Sequence, residues 1–100
     1  MGVKEEKIPL VSILAVSYNH ADYCVEALES VINQTYPNIE LIIVDDCSTD
    51  QTVDVISSWI EVNDINCKFI RHEENQGVCR TYNEGLSHCS GKYYSTLSCD

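Results

Sequence analysis

Short apolar runs alternate with longer amphipathic segments along most of the chain. The runs LVSILAVS (10–17) and IELIIVD (39–45) are rich in β-branched residues and predict strands that are buried on both faces. Two further strands are predicted at NCKFIRH (66–72) and KYYSTLS (92–98). Because a helical segment separates each strand from the next, the pattern predicts an α/β fold with a parallel sheet and right-handed crossovers.

Three helices are expected between these strands. The segment ADYCVEALESVINQ (21–34) has apolar residues at helical spacing and acids on its other side. Ser48 stands three residues before Gln51, a capping-box spacing that predicts the start of the second helix. That helix is expected to have Val53, Ile56, Trp59 and Ile60 on one face. The third helix is expected to turn Val78, Tyr82, Leu86 and Cys89 inward and to end at Gly91 as a C′ glycine.

Composition restricts the class of protein and its partners. One hundred residues, 44% of them hydrophobic and 22% charged, indicate a single small globular domain. A net charge of −10 disfavours nucleic acid and anionic membranes as direct partners. The six cysteines show no CxxC spacing and no signal peptide precedes them, so most are expected to be small buried hydrophobes in a cytoplasmic protein.

The two ends of the chain carry further expectations. Residues 1–8 are interpreted as an N-terminal tail and residues 9–100 as part of a domain. Because Asp100 directly follows the last predicted strand with no closing helix, we expect a truncated domain. An open edge strand in such a domain predicts self-association.

Polar clusters follow the predicted strands at SYNH (17–20), DDCSTD (45–50), RHEENQG (71–77) and SCD (98–100). In open parallel sheets ligands bind beyond the carboxyl ends of the strands, so a ligand site is predicted there. The chain has neither a glycine-rich dinucleotide fingerprint nor a Walker loop. A diphosphate would therefore need a metal, for which Asp100 is the candidate ligand.

Each candidate side chain has two readings. Tyr18 either stacks on a planar base or packs on the first helix. Asp46 either accepts a hydrogen bond from a base N–H or caps the second helix together with Ser48. Asp45 is expected to brace its loop. Arg80 either pairs with phosphate or is an ordinary solvated helix residue.

The histidines His20, His72 and His88 do not stand at metal-ligand spacing with the cysteines. No zinc site is therefore predicted, because structural zinc sites have paired ligands a few residues apart. The pattern assigns these histidines no other role.

Three stretches together resemble the start of the family 2 glycosyltransferases: a strand running into SYN, a helix ending in SVINQTYP, and VDDCSTDQT. The resemblance continues through NQGVCRTYNEGLSHCSGKYYSTLSCD and so covers nearly all of residues 9–100. It implies the GT-A fold, a Rossmann-like three-layer parallel sheet. The chain would be its nucleotide-sugar-binding half, with the acceptor-binding half and the general base downstream.

The activity implied by the resemblance is transfer of a sugar, with inversion, from a nucleotide-diphosphate donor to an acceptor. The expected donor is a UDP-sugar, the acceptor a saccharide or lipid-linked group, and the cofactor Mg²⁺ or Mn²⁺. For the full-length protein, a peripheral position at the inner membrane face is an option. A nucleotide-binding α/β module and a nucleotidyltransferase-like domain remain the alternatives, although SYNHAD lacks the glycine-rich basic loop typical of nucleotidyltransferases.

By motif position, the resemblance implies one set of nucleotide-binding residues: Val16, Tyr18, Asp46, Arg80 and Ser98. Asp100 falls at the second acid of the D-x-D metal motif. The chain departs from the family pattern in two places, since Ser98 replaces the first acid of that motif and Thr81-Tyr82-Asn83 stands where many members have Ala-Arg-Asn.

Overall fold

The computed structural model describes residues 9–19, 21, 23–33 and 38–98. Its strands and helices alternate along the chain as β1 (Val11–Ser17), α1 (Cys24–Ile32), β2 (Ile39–Asp45), α2 (Thr52–Asn63), β3 (Lys68–Arg71), α3 (Val78–Ser87) and β4 (Tyr93–Ser98). The predicted α/β fold is confirmed. The predicted tail at residues 1–8 and the predicted metal ligand Asp100 lie outside the described residues.

The four strands form one parallel sheet in the order β3-β2-β1-β4. β1 and β2 are therefore the central strands, which explains why their sequences are apolar on both faces. Ser17 lies opposite Asp45, and Asp45 lies opposite Arg71. The carboxyl ends of β1, β2 and β3 consequently meet at one edge of the sheet.

Helices cover both faces of this sheet and make the three layers. One face carries α1 and α2 over a core that includes Ile13, Ala15, Leu41 and Ile43. The other face carries α3 over Leu14, Ile42 and Val44. Adjacent strand residues enter opposite cores because side chains alternate along a strand. Within the described residues, no helix has the length and apolar character needed to cross a bilayer.

The start of α2 differs from the capping-box prediction. α2 begins at Thr52, and its N-cap residue Gln51 makes no side-chain cap hydrogen bond. Ser48 lies farther back and bonds to Asp45 instead. The carboxylate of Asp50 accepts the N–H of Thr52 at 2.9 Å and so occupies the first free donor of the helix. The prediction for Ser48 is therefore wrong.

The predictions for α3 are wrong at both ends. Val78 is 66% exposed and does not face inward. The rest of the predicted inward face is confirmed, because Tyr82, Leu86 and Cys89 pack against the core beneath α3. The helix ends with His88 as its C-cap, so Gly91 is not a C′ glycine. A Cβ atom on Gly91 would lie 2.7 Å from the carbonyl oxygen of Leu10, which explains the glycine by a close approach to the chain before β1.

The cysteines of the described residues are all free thiols. Cys24 is fully buried, and Cys67 and Cys89 are partly buried against the two cores. Burial raises the pKa of all three thiols. Three of the five described cysteines therefore fit the expectation that most are small buried hydrophobes. Cys47 is partly exposed in the loop after β2, and Cys79 is exposed.

Gly85 allows α3 to lie directly on β1. A Cβ atom at this position would lie 2.3 Å from Cδ1 of the fully buried Leu14. We expect Gly85→Ala to lower the free energy of unfolding in urea by about 1–2 kcal/mol, because overpacking outweighs the gain of about 1 kcal/mol in helix propensity. Adding Leu14→Val should recover part of that loss.

The exposed Asn83→Ala, in the same helix, is the matched control and should leave stability within about 0.5 kcal/mol of the parent chain. If Gly85→Ala were as stable as Asn83→Ala, the close packing of α3 on Leu14 would be incorrect. If the changes in the free energy of unfolding caused by Gly85→Ala and Leu14→Val were strictly additive, a direct contact between the two positions would be contradicted.

Candidate functional site

The loop after β1 and the loop after β2 are joined by hydrogen bonds around Asn19. Its side-chain Oδ1 accepts the N–H of Thr49 at 2.8 Å and that of Asp50 at 3.3 Å. Its own N–H donates to Oγ of Ser48 at 2.9 Å. Asn19 and Cys47 have φ values of 53° and 61°, in the left-handed region that side chains other than glycine adopt rarely. The two loops therefore form one structural unit.

Asp45 is the centre of that unit. The residue is fully buried at the end of β2. Its Oδ1 accepts the hydroxyls of Ser17 at 2.7 Å and Ser48 at 2.5 Å, and its Oδ2 accepts the N–H of Ser48 at 2.8 Å. The prediction that Asp45 braces its loop is confirmed, because one carboxylate ties the end of β1 to the loop after β2.

Asp46 points to a different part of the fold. It is 5% exposed, and its Oδ1 accepts the N–H of Gln76 at 2.8 Å and lies 2.9 Å from Nδ1 of His72. Its Oδ2 accepts the N–H of Gly77 at 3.1 Å. Asp46 therefore binds the chain just before α3. The alternative in which it caps α2 is wrong, whereas its contact with a base stays a prediction.

The hydrogen bonds around Asp46 decide its charge. Burial raises the pKa of this carboxyl, but the N–H of Gln76, the ring of His72 and the N–H of Gly77 together outweigh burial and lower the pKa below its ordinary value. The group is therefore a carboxylate at neutral pH. A base N–H that approached it would share an oxygen with donors of the protein.

His72 is the residue of the site to which the sequence pattern assigned no role. It follows β3, is 8% exposed, and lies between two carboxylates. Nδ1 faces Asp46, and Nε2 makes a short contact with Oε2 of Glu84 in α3. Burial lowers the pKa of His72, but its hydrogen bonds to Asp46 and Glu84 raise it above the ordinary value. A usable signal was present, since His72 directly follows a strand.

The other candidate nucleotide-binding residues lie around the same edge. Val16 is half-buried at the end of β1 and packs against the core beneath α3. Tyr18 follows β1 and is 41% exposed. Ser98 ends β4 opposite Val16. Arg80 is exposed in the first turn of α3, the helix whose preceding residues bond to Asp46.

The part of the chain that the structure describes contains no complete binding site for a divalent metal. Among those residues, no group of three or more His, Cys, Asp or Glu side chains is arranged to hold a metal ion. Asp100, the predicted ligand, lies outside them. The described donor set alone therefore does not fit a metal, and metal binding stays a prediction for Asp100.

Comparison with known proteins gives a consistent result. Residues 12–100 match Glycosyl transferase family 2. The chain is 38% identical over 92 residues to a Bacillus subtilis protein named as the teichuronic acid biosynthesis glycosyltransferase TuaG, covering 92% of this chain and 36% of TuaG. It is 33% identical over 91 residues to glycosyltransferase GlyG of Streptococcus pneumoniae, covering 91% of this chain and 30% of GlyG.

Solved structures share the fold. The mannosyltransferase PcManGT of Pyrobaculum calidifontis, in complex with GDP-Man and Mn²⁺, superposes with a TM-score of 0.85 at 28% identity, covering 92% of this chain and 28% of that protein. S. aureus TarS 1-349, in complex with UDP-GlcNAc, gives a TM-score of 0.80 at 31% identity, covering 91% and 26%. This chain thus spans about a quarter to a third of the length of these four proteins, and the match over residues 12–100 shows that it belongs to glycosyl transferase family 2.

Proposed function

We propose that the protein containing this chain transfers a sugar from a nucleotide-diphosphate donor to an acceptor, with inversion at the sugar carbon, and that this chain binds the donor nucleotide. The observation that carries the proposal is the joined carboxyl edge of the sheet, where the loops after β1, β2 and β3 meet at Asp45 and Asp46. Family membership and two structural relatives in complex with nucleotide sugars support it.

The described residues suggest how the nucleotide would be held. Tyr18 is exposed at the rim and can offer its ring to a planar base. Asp46 supplies a fixed carboxylate for a base N–H, while Val16 and Ser98 lie opposite each other on β1 and β4. Arg80 is an exposed cation in the first turn of α3, where it can pair with a phosphate oxygen.

Inverting transfer also needs groups that we assign to the rest of the protein. A general base must lie within hydrogen-bond reach of the attacking hydroxyl of the acceptor. A bound Mg²⁺ or Mn²⁺ would neutralise charge on the departing diphosphate, and Asp100 is the residue we propose to hold it. Because we assign the general base to the rest of the protein, we propose that the chain alone is inactive.

The names of two relatives support proposals for the donor and for the pathway. One structural relative is in complex with UDP-GlcNAc and one curated relative is named for teichuronic acid biosynthesis. We therefore propose a UDP-sugar donor, a saccharide or lipid-linked acceptor and a role in cell-surface polysaccharide biosynthesis. We also propose a cytoplasmic location. A peripheral position at the inner membrane face would depend on other parts of the full-length protein, because the net charge of −10 disfavours direct contact of this chain with anionic lipid.

The activity can be tested on the full-length protein with UDP- and GDP-sugars, Mn²⁺, and saccharide or lipid-linked acceptors. Release of nucleoside diphosphate together with a new glycoside is the expected result, and proton NMR of the product gives the anomeric configuration. Retained configuration would contradict inversion, and nucleotide binding without transfer would favour the binding-module alternative. Turnover by this chain alone would contradict the assignment of the base to the rest of the protein.

We also propose that this chain self-associates through β4. β4 is an edge strand of the sheet, and Tyr93 and Tyr94 on it are 56% and 62% exposed. Exposed edge strands present unpaired backbone groups to other chains. Light scattering of this chain at increasing concentration is expected to show mass above that of a monomer, and a monomer at all concentrations would contradict the proposal.

A further inference from the structure

His72 joins three parts of the fold at one point. Its backbone N–H donates to the carbonyl oxygen of Asp45 at 2.9 Å, which fixes it beside the end of β2. Its ring then lies between the carboxylate of Asp46, after β2, and that of Glu84, in α3. The side chain of His72 is 3% exposed, compared with 7% for Asp46 and 35% for Glu84. Water is therefore nearly excluded from the contact between His72 and Asp46, whereas Glu84 is partly exposed to solvent.

The charges around the ring favour one protonation state. A protonated imidazole donates from both nitrogens and can bond both carboxylates, whereas a neutral ring donates from only one and turns a lone pair towards the other carboxylate. Other charged groups at the cleft beside the ring are Arg71, Glu73 and Glu74, so acids outnumber bases there as well. His72 can therefore donate a hydrogen bond to both Asp46 and Glu84 only when its imidazole ring is protonated.

The bond to Asp46 extends the influence of His72 to the loop before α3. Asp46 also accepts the N–H groups of Gln76 and Gly77, and Gly77 immediately precedes the helix. The first turn of that helix carries Arg80. A shift of the Asp46 carboxylate would therefore release this loop and change where Arg80 lies relative to the strand ends.

We propose that His72 is a positioning residue of the nucleotide site: its protonated ring, bound by Asp46 and Glu84, fixes the Asp46 carboxylate and the loop at residues 72–77, so that nucleotide affinity depends on the protonation of His72. This inference rests on the proposed function, because it assumes that Asp46 and the start of α3 belong to the nucleotide site. His72 itself need not touch the nucleotide.

The direction of the pH effect follows from the raised pKa of His72. A group whose pKa is raised by folding stabilises the folded arrangement at pH values below its ordinary pKa of 6.5, and the stabilisation is lost as the pH rises through the folded value. Titration of the full-length protein with UDP and GDP in Mg²⁺ should give the tightest binding below pH 6.5. Affinity should fall about tenfold as the pH rises through the raised pKa of His72, which corresponds to one charge-assisted hydrogen bond.

Two variants separate positioning from a general structural role. His72→Gln should bind nucleotide about tenfold more weakly at low pH and show a flat profile, because an amide cannot bond both carboxylates from opposite ends. Glu84→Gln should also flatten the profile but keep tight binding, since its amide can donate to the neutral ring while Nδ1–H still bonds Asp46. Glu61→Gln, at an exposed acid in the last turn of α2 on the other face of the sheet, is the matched control and should retain the parent profile.

The effect of His72 on the loop at residues 72–77 can also be measured without a nucleotide. Amide hydrogen exchange, expressed as protection factors, should show that Gln76 and Gly77 lose protection in His72→Gln and, in the parent protein, as the pH rises. Unchanged protection of both amides in His72→Gln would overturn the inference, as would a parent-like pH profile of binding in that variant. If no nucleotide bound at any pH but the protection change were present, the proposed function would be contradicted. The role of His72 in fixing the loop at residues 72–77 would still be supported.

Discussion

Replacing Asp45 by alanine is expected to lower the free energy of unfolding by about 3 kcal/mol, measured by urea denaturation of this chain. The carboxylate is fully buried and accepts three hydrogen bonds, two from Ser48 and one from Ser17. Removing it leaves buried donors without an acceptor, at a cost of about 1–3 kcal/mol for each donor that cannot reach water. The loop after β2 would also lose its attachment to β1.

Two further variants define that prediction. Asp45→Asn keeps the shape of the side chain but turns an amide N–H₂ towards at least one donor, so its loss should lie between those of the parent chain and Asp45→Ala. Asp54→Ala removes an exposed carboxylate from the first turn of α2 and should change stability by only about 0.5 kcal/mol. If Asp45→Ala were no less stable than Asp54→Ala, the bracing role of Asp45 would be wrong.

Replacing Asp46 by alanine is expected to weaken nucleoside diphosphate binding about a hundredfold or more. The substitution removes the proposed acceptor for a base N–H. It also frees the N–H groups of Gln76 and Gly77 and leaves His72 bonded on one side only. Both consequences act on the same site, so their effects on affinity should combine.

Loss of binding in Asp46→Ala is informative only if the variant stays folded, which circular dichroism and urea denaturation can establish. Asp54→Ala again provides the control, because it removes the same charge from an exposed residue of α2 outside the proposed nucleotide site and should bind as the parent does. A folded Asp46→Ala protein with parent affinity for UDP and GDP would show that Asp46 has no part in the nucleotide site.

The central strands and the layer order could be predicted because the signal is local. Ile39–Asp45 is a strand at the residues where its β-branched run lies, and α2 buries Ile56 and Trp59 as their helical spacing indicates. Both central strands are apolar on both faces, which requires cover on both faces. The parallel order then placed the polar strand ends together before any contact was known.

Predictions from local sequence patterns were wrong for residues whose role depends on contacts in the folded chain. Ser48 has the spacing of a capping residue, but Asp45 and Asn19 take both its hydroxyl and its N–H. Gly91 resembles a helix-ending glycine, yet the close approach of Leu10 explains it. In each case two competing roles fit the same residue type, and only the tertiary fold decides between them.

The contacts of His72 could not be predicted from the sequence. Its partners are 26 residues earlier at Asp46 and 12 residues later at Glu84. They meet because β3 pairs with β2 and α3 packs on β1 and β2. No spacing rule along the chain encodes that meeting, and a search for metal-ligand spacing passes over a histidine whose partners are two carboxylates.

The most direct measurement of the central claim is isothermal titration calorimetry of UDP and GDP into the protein, with and without Mn²⁺. We predict saturable binding of at least one of the two nucleotides at one site, stronger with Mn²⁺ and abolished by Asp46→Ala but not by Asp54→Ala. No heat of binding from either nucleotide, with or without Mn²⁺, in a protein shown to be folded would contradict the claim that this chain binds the donor nucleotide.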